Sequence, residues 1–447
     1  MTLRLAPDPG LRRFADGRTL AGGSPFRILR LSAAGASLVD GWVAGEPVTA
    51  GATLAQRLVR AGMMHPRYDQ ARFRPEDVTL VLPVRDDHHR APDSAIVVDD
   101  GSQPPVPGAA IRHETPRGPA AARNAGLRLV DTPLVAFLDA DVSVEPGWLE
   151  PLLRHFEDPE VAAVAPRVRS VSGDTALARY ECARSPLDLG EQPGLVQPGS
   201  RISYVPTAAL VVRTDVLREV GGFDESLRFG EDVDLIWRLA QHHQVRYEPA
   251  ATVHHRPRRT WMALIRQRYG YGTSAGPLAV RHGTAVAPAR TSLWSAAAWA
   301  LISTRRIGPA LAVIGGSAAL LARKLGKTGV PTTESLRLTA LGTLGAGRCL
   351  ADAIGRPWAP IAIPLLATTR SGRRVLTAVA LRHLLDWARE RPPLDPARWT
   401  LARIADDAAY GCGVLRGALK ARTATPLLPV LSDVGGRSSV PTAGERS

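Results

Sequence analysis

Between residues 78 and 276, short unbroken apolar runs alternate with stretches of helical spacing. VTLVLPV at 78–84, AIVVD at 95–99 and LVAFL at 134–138 are rich in β-branched residues and too short for helices. That is the pattern of strands buried on both faces. GPAAARNAGLRLV at 118–130 opens with Gly and Pro and continues in helix formers, and 148–156 follows the Pro146-Gly147 turn as a further helix. In the helix beginning near Glu231, Val233, Ile236, Trp237 and Ala240 share one face, and Glu231 and Asp232 occupy the first turn. This alternation predicts an α/β sheet of mainly parallel strands, with ligands at their carboxyl ends. Upstream, residues 1–75 mix short apolar runs with glycines and predict a small domain of short helices and a hairpin. Beyond 291, Ala and Leu recur at helical spacing until a Pro-, Gly- and Ser-rich stretch at 426–447, the composition of a disordered tail. The expected regions are therefore 1–75, 76–280, 281–425 and 426–447, and no internal repeat is found.

Composition narrows the class. A chain of 447 residues suffices for two or three domains, and 45% hydrophobic with 22% charged residues excludes a largely disordered chain. Mean hydropathy of −0.05 argues against a polytopic membrane protein. Cys182, Cys349 and Cys412 lie far apart without CxxC spacing, which excludes a disulfide framework and a cysteine-based zinc site and fits a reducing compartment. No apolar run follows the first arginines, so no secretory signal is expected, and the chain is placed in the cytoplasm or at the inner face of the cell membrane.

The net charge of +14 is unevenly spread: between Glu248 and Glu334 there is no Asp or Glu, but twelve Arg or Lys. Within that stretch, 293–304 and 307–322 are apolar and are split by Arg305 and Arg306; each falls short of the roughly 20 residues of a spanning helix. They suit membrane contact through 291–330 against an anionic leaflet, or a buried helical hairpin with a basic rim. Interleaving with Ala, Leu and Gly, with few stacking aromatics, argues against a nucleic-acid partner.

Candidate chemistry gathers where the strands end. Asp139-Ala140-Asp141 follows LVAFL directly, and two carboxylates there suit a hard divalent cation. Asp99-Asp100-Gly101-Ser102 sits likewise after AIVV, where a carboxylate can accept from the N3–H of a pyrimidine and Gly101 permits close backbone approach. Arg123, alone among small residues, can neutralise a diphosphate. Glu231 and Asp232, in a first helical turn, are stabilised as anions by capping, and a base so held can accept a proton from an attacking hydroxyl. His254-His255 ends a strand-like segment; adjacent residues point to opposite sides, so one of the two can complete the coordination of a cation held by Asp139 and Asp141.

In order and spacing these elements, from Pro83-Val84 through Gly222-Phe223-Asp224-Glu225 and Glu231-Asp232 to His254, resemble the family 2 glycosyltransferases of the GT-A fold over about residues 78–276. The resemblance implies a nucleotide-diphospho-sugar transferase fold. Pro83, Asp99, Asp100, Arg123 and Asp139 would bind the donor: Asp99 or Asp100 the uracil, Arg123 the diphosphate, Asp139 the ribose or the cation. Asp141 with His254 or His255, beside Asp139, would hold Mn2+ or Mg2+. Asp232, with Glu231 next to it, would be the catalytic base. With RGPAAARNAGL at 117–127 and the basic, apolar C-terminal half, the layout most resembles the branch of the family acting in mycofactocin biosynthesis. That implies metal-dependent, inverting transfer of a hexose, glucose, from a UDP-sugar such as UDP-glucose to a peptide-derived redox cofactor or its precursor. GGSPFRILRLS at 22–32 and LAQRLVRAGMMHP at 54–66 resemble the winged-helix peptide-clasping domains of ribosomal-peptide maturation; an ordinary helical cap on the sheet domain is the alternative.

Two competing readings stand beside this one. A cell-envelope glycosyltransferase acting on a polyprenyl-linked or glycan acceptor is favoured by the basic apolar segment. A non-catalytic peptide- or membrane-binding scaffold is disfavoured by the retained Asp99, Asp139, Asp141 and Asp232. One departure from the family pattern is plain: only the ten residues 85–94 separate the first two strands, where relatives place a full helix. One sheet face beside the nucleotide site is thereby left less covered, and the N-terminal domain or the C-terminal helices are expected to fill it.

Overall fold

The sequence builds its N-terminal segment from short elements closed by glycines. In the computed structural model, which describes residues 2–86 and 94–432, strand β1 (Leu3–Pro7) is followed by β2 (Arg12–Phe14), β3 (Thr19–Gly22) and β4 (Arg27–Arg30), an antiparallel three-stranded sheet. Helices α1 (Ala33–Val43) and α2 (Ala52–Arg60) follow, and β5 (Met64–Tyr68) returns to pair with β1. Ser32 caps α1 by accepting from the Gly35 N–H. Helix α2 stops at Arg60, and Gly62, at φ +65°, turns the chain into β5. Leu5, Leu20, Val39, Trp42, Leu58 and Met64 form a core of their own.

The three apolar runs become β6 (Val78–Val84), β7 (Ile96–Asp99) and, after β8 (Ile111–Arg112) and helix α3 (Pro119–Leu127), β9 (Leu134–Leu138). Then come β10 (Val142–Val144), α4 (Glu150–Leu153), β11 (Val161–Ser170), α5 (Ala176–Arg184), β12 (Gly194–Leu195), β13 (Ala209–Arg213), α6 (Thr214–Glu219), α7 (Glu231–His242) and β14 (Gln244–His255). Nine of these strands form one sheet in the order β10-β14-β11-β13-β9-β6-β7-β8, with β12 on β14. The pairs β6–β7, β6–β9, β7–β8 and β11–β14 are parallel; β13 runs antiparallel to both β9 and β11, as do β10 and β12 to β14. The sheet is thus mixed rather than mainly parallel. An unbroken apolar run marks a strand buried on both faces but carries no sign of its direction.

Along β9, Leu134, Ala136 and Leu138 join the main core with Leu152, Phe156, Val164 and Val211. On the other side α3 packs on β6 and β7, with Ala122 and Ala125 against Val98. Gly126 makes this approach possible: a Cβ there would lie 2.4 Å from Val81 Cγ1. Phe73, Val78, Leu80, Val97 and Val106 also pack against the main core. Most of the short connection, 87–93, lies outside the described residues, and with it the expected cover of the neighbouring face.

The chain divides into two units, residues 1–264 with 390–395, and 265–389 with 396 onward. Helix α8 (Trp261–Thr273) leads into the second, which continues with α9 (Ala275–His282), β15 (Arg290–Ser292), α10 (Leu293–Ser303), α11 (Ile307–Gly326), α12 (Thr332–Gly355), α13 (Ala359–Ala367), α14 (Arg370–Glu390), α15 (Pro396–Lys420) and β16 (Val430–Ser432). Helix α11 runs through Pro309 and the Gly315-Gly316 pair and four residues past the apolar stretch. It is the one described helix long and apolar enough to cross a bilayer. Of the expected tail, Val430–Ser432 is paired in parallel with Arg290–Ser292, and 433–447 lies outside the described residues.

Candidate active site

β9 is buried along its whole length and delivers Asp139 at its carboxyl end. Phe137 turns away from the main core and meets the Phe223 ring edge-on, with centroids 5.1 Å apart. Phe223 in turn lies 5.4 Å from the guanidinium carbon of Arg123. Arg123, on α3, is almost wholly buried. Its Nη2 donates to Asp139 Oδ1 at 2.7 Å and its Nη1 to Glu231 Oε1 at 3.0 Å, while its Nε has no partner among the described residues. Burial works against the charge, but the two carboxylates outweigh it and hold the proton above the ordinary arginine range. One side chain therefore ties β9, α3 and α7 together.

Helix α7 starts at Gly230, whose φ of +79° only glycine adopts without strain, and places Glu231, Asp232 and Asp234 in its first turn. Their fates differ. Asp234 accepts from Arg238 Nε at 2.8 Å, and Arg238 donates onward to the carbonyls of Val220 and Gly222, so this pair fixes the turn before the helix. Glu231 holds Arg123. Among the described residues Asp232 accepts only from the Val233 N–H, at 2.8 Å. Burial, then the charge of Glu231, pushes the Asp232 carboxyl up to about 7, against the opposing pull of that N–H and of Arg123.

Asp141 lies on the far side of Asp139. Its Oδ2 is 3.2 Å from His255 Nε2 and 3.4 Å from Arg258 Nη1. Burial alone would raise its pKa, but the hydrogen bond and charge of His255, with Arg258, hold it below the usual carboxylate range. The register of β10 on β14 sets Val142 opposite His255 and Ser143 opposite His254. His255 accordingly faces Asp141 and is buried, whereas His254 turns to Glu145 at 3.4 Å. Among the described residues no three His, Cys, Asp or Glu side chains gather closely enough to hold an ion unaided. The fit to a cation is that of a carboxylate–imidazole pair, Asp141 and His255, with Asp139 two residues earlier at the strand end and one-third exposed. Remaining ligands would have to be substrate oxygens and water.

Asp99 and Asp100 spend their oxygens on the protein. Asp99 is fully buried and accepts from the Ser102 and Val106 N–H groups at 2.8 and 3.1 Å and from Arg112. Although burial opposes it, these bonds bring its pKa down to about 2. Asp100 accepts from His113 Nδ1, the Arg117 N–H and the Gly118 N–H, each at 2.8 Å. Both organise the loop that leads into α3. Pro83 is half-buried on β6 opposite Val98.

Motif residues to which the sequence reading gave no role complete the site. Asn124 exchanges hydrogen bonds with the Phe223 backbone (2.9 and 2.8 Å) and donates to Glu225, which also pairs with Arg117 at 2.9 Å. Gly222 is required beneath this clasp, since a Cβ would sit 2.6 Å from Asn124 Oδ1. The RNAG and GGFDE motifs are thus two halves of one clasp, which motif spacing alone does not reveal.

Comparison with known proteins places this arrangement. Residues 86–221 match Glycosyl transferase family 2. Over 94% of this chain and 96% of that protein, the sequence is 40% identical to the pre-mycofactocin glycosyltransferase of Mycobacterium tuberculosis. Among solved structures there is similarity to S. aureus TarS (TM-score 0.34, 15% identity, 45% of this chain and 64% of that one). Similarity is also found to the mannosyltransferase PcManGT from Pyrobaculum calidifontis in complex with GDP-Man and Mn2+ (TM-score 0.33, 19% identity, 63% and 89%).

Proposed function

The chain belongs to the pre-mycofactocin glycosyltransferases of family 2, and we propose that it transfers a hexose, glucose, from a UDP-sugar to a peptide-derived redox cofactor or its precursor with inversion. The supporting observation is the Arg123 bridge between Asp139 and Glu231, which leaves Asp232 beside it unpaired by any side chain and with a carboxyl near neutrality. A base of that strength accepts the proton of an acceptor hydroxyl while its oxygen forms a bond to the anomeric carbon. The bond from that carbon to the diphosphate oxygen breaks, and UDP departs. Arg123, its two Nη atoms engaged, meets the diphosphate through its charge. Asp99 and Asp100 shape the wall on which the uracil rests, with Pro83 on the adjoining strand.

Asp141 and His255, with Asp139, would hold a divalent cation, and the imidazole favours Mn2+ over Mg2+. Such a cation supplies charge to the leaving diphosphate. The peptide part of the acceptor is met by the winged-helix-like domain of residues 1–75, and the enzyme works at the inner face of the cell membrane, touching it through 291–330. A polyprenyl-linked glycan is the second reading of the acceptor, favoured by the exposed apolar helices of the second unit.

The test is incubation of purified protein with a panel of nucleotide sugars and Mn2+, offered either the peptide-derived acceptor or lipid extract, with products followed by mass spectrometry. Glucosylated peptide product from UDP-glucose is expected. Turnover only with lipid extract selects the second reading, and no turnover of any donor removes both.

A further inference from the structure

Helices of a water-soluble bundle turn their charged faces outward. In the unit of residues 265–389 and 396 onward the sides are exchanged. Helix α14 buries Arg382, His383 and Asp386 and exposes Leu381, Leu384 and Leu385. Helix α15 buries Arg403, Asp406 and Asp407 and exposes Leu401 and Ile404, Leu401 at 68%. Helix α12 buries Glu334, Thr339 and Thr343 and exposes Leu336, Leu341 and Leu344.

The buried charges neutralise one another: Arg268 reaches Asp406 at 3.0 Å, Arg356 reaches Asp407 at 2.6 Å and Asp406 at 3.1 Å, and Arg382 reaches Asp407 at 3.4 Å. Paired ions inside with leucine outside is the arrangement a low-dielectric surrounding selects. Neighbouring helices α10, α11, α12 and α13 pack in succession, so their outward apolar surfaces adjoin.

We propose that this unit beds its outer surface in one leaflet of an anionic lipid membrane. Charge identifies the occupant. Residues 265–389 carry seventeen Arg or Lys against three Asp or Glu, of which Glu334 and Asp386 are buried. The cations sit where apolar helix faces end: Arg305 and Arg306 before α11, Arg323, Lys324 and Lys327 at its close, and Arg370, Arg373 and Arg374 after the wholly apolar α13. Anionic headgroups complement these clusters, whereas a second copy would bring like charges together. Length sets the depth. On α12 the exposed Leu341 and Leu344 lie between Arg337 and Arg348, eleven residues or about 16 Å apart at 1.5 Å per residue. That is half a hydrocarbon core, too short for this face of α12 to cross both leaflets and in keeping with a helix lying in one. The premise is the placement of 291–330 at a membrane; the transfer chemistry is not needed.

Flotation of the full chain with vesicles tests it, comparing pure phosphatidylcholine with vesicles containing 30% phosphatidylglycerol. The expected result is flotation with the anionic vesicles, weakened at least about tenfold by Leu381→Glu with Leu385→Glu on α14, since two apolar contacts are lost. Urea unfolding of the variant in detergent checks that it folds. If it does not, quenching of the wild-type tryptophan fluorescence by brominated lipid decides directly: quenching supports immersion, and none overturns it. If Leu311→Glu on α11 abolishes flotation while the α14 pair leaves it intact, contact is confined to 291–330 and the proposal falls while its premise stands. No flotation with either vesicle overturns both, as does a stable dimer that Leu311→Glu and the α14 pair each dissociate.

Discussion

Replacing Asp232 by Asn tests the base assignment through two readouts that move in opposite directions. The native carboxyl binds its proton near pH 7 and the unfolded one near 3.8. Native Asp232 therefore takes up more protons than the unfolded chain across that window, and wild-type stability falls as pH rises from 3.8 through about 7. Asn does not titrate, so the variant gains on the wild type over the same window and keeps its gain above it. At about 1.4 kcal/mol per pH unit, the separation bounds the gain at about 4 kcal/mol. The side chain retains some accessible surface, and screening brings the expected value to about 1–2 kcal/mol. For a unit of this size that is a rise in Tm of about 3–6 °C at pH 8, vanishing at pH 4. Glycosyl transfer should fall by about 10² to 10⁴ while donor binding persists. Calorimetry at the two pH values and product formation under saturating donor measure both effects. Turnover within about tenfold of wild type would remove Asp232 as base; an equal Tm shift at both pH values would show that its ionised form is not disfavoured.

Further expectations concern its neighbours. Arg123→Ala removes the counter-charge of the buried Glu231 and of the one-third exposed Asp139 and should cost about 3 kcal/mol in urea unfolding, with Arg123→Lys recovering part of it. Asp141→Ala should abolish Mn2+-dependent UDP binding in calorimetric titration and His255→Ala should weaken it strongly, whereas His254→Ala, whose ring faces Glu145, should leave it near wild type. For Asp99 the sign is reversed: its carboxyl ionises near 2 in the fold. It therefore contributes stability that is complete above about pH 4 and is lost as pH falls toward 2, and Asp99→Asn should cost about 2 kcal/mol at pH 7, read by denaturant titration.

Much of this site follows from local pattern. The strand ending in Asp139, the helix carrying Arg123 and the first turn holding Glu231 and Asp232 were each legible from an apolar run or a helical stripe, because burial at the strand end and capping at the helix start are short-range requirements. The choice between His254 and His255 was not. It depends on pairing register between strands more than a hundred residues apart, and one residue of slip exchanges which ring meets Asp141. The role of Asp99 was equally hidden. A carboxylate at a strand end reads the same whether it faces a ligand or collects the Ser102 and Val106 N–H groups of its own loop. Strand direction in the sheet was lost for a related reason, since β13 carries the same continuous apolar signal whichever way it runs.

The second unit shows the limit of helical periodicity in its sharpest form. An apolar stripe and a polar stripe on one helix are symmetric as pattern, and only packing decides which of them is interior. On α14 the stripe containing Leu381 and Leu385 has the spacing of an ordinary core face, and the stripe with Arg382 and Asp386 that of an ordinary solvent face. Both assignments are inverted by the fold. What could have signalled the inversion is charge balance rather than period. Asp406-Asp407 is an acidic pair in a region otherwise nearly devoid of acids, and the arginines that reach it come from separate places in the chain, Arg268 from α8, Arg356 from the end of α12 and Arg382 from α14. Scarce acids surrounded by many bases at long sequence separation are more economically satisfied at one shared centre than at scattered surface pairs, where each would contribute little. Once those charges occupy the interior, the leucines have nowhere to go but outward, and the surface they form must be covered by something apolar.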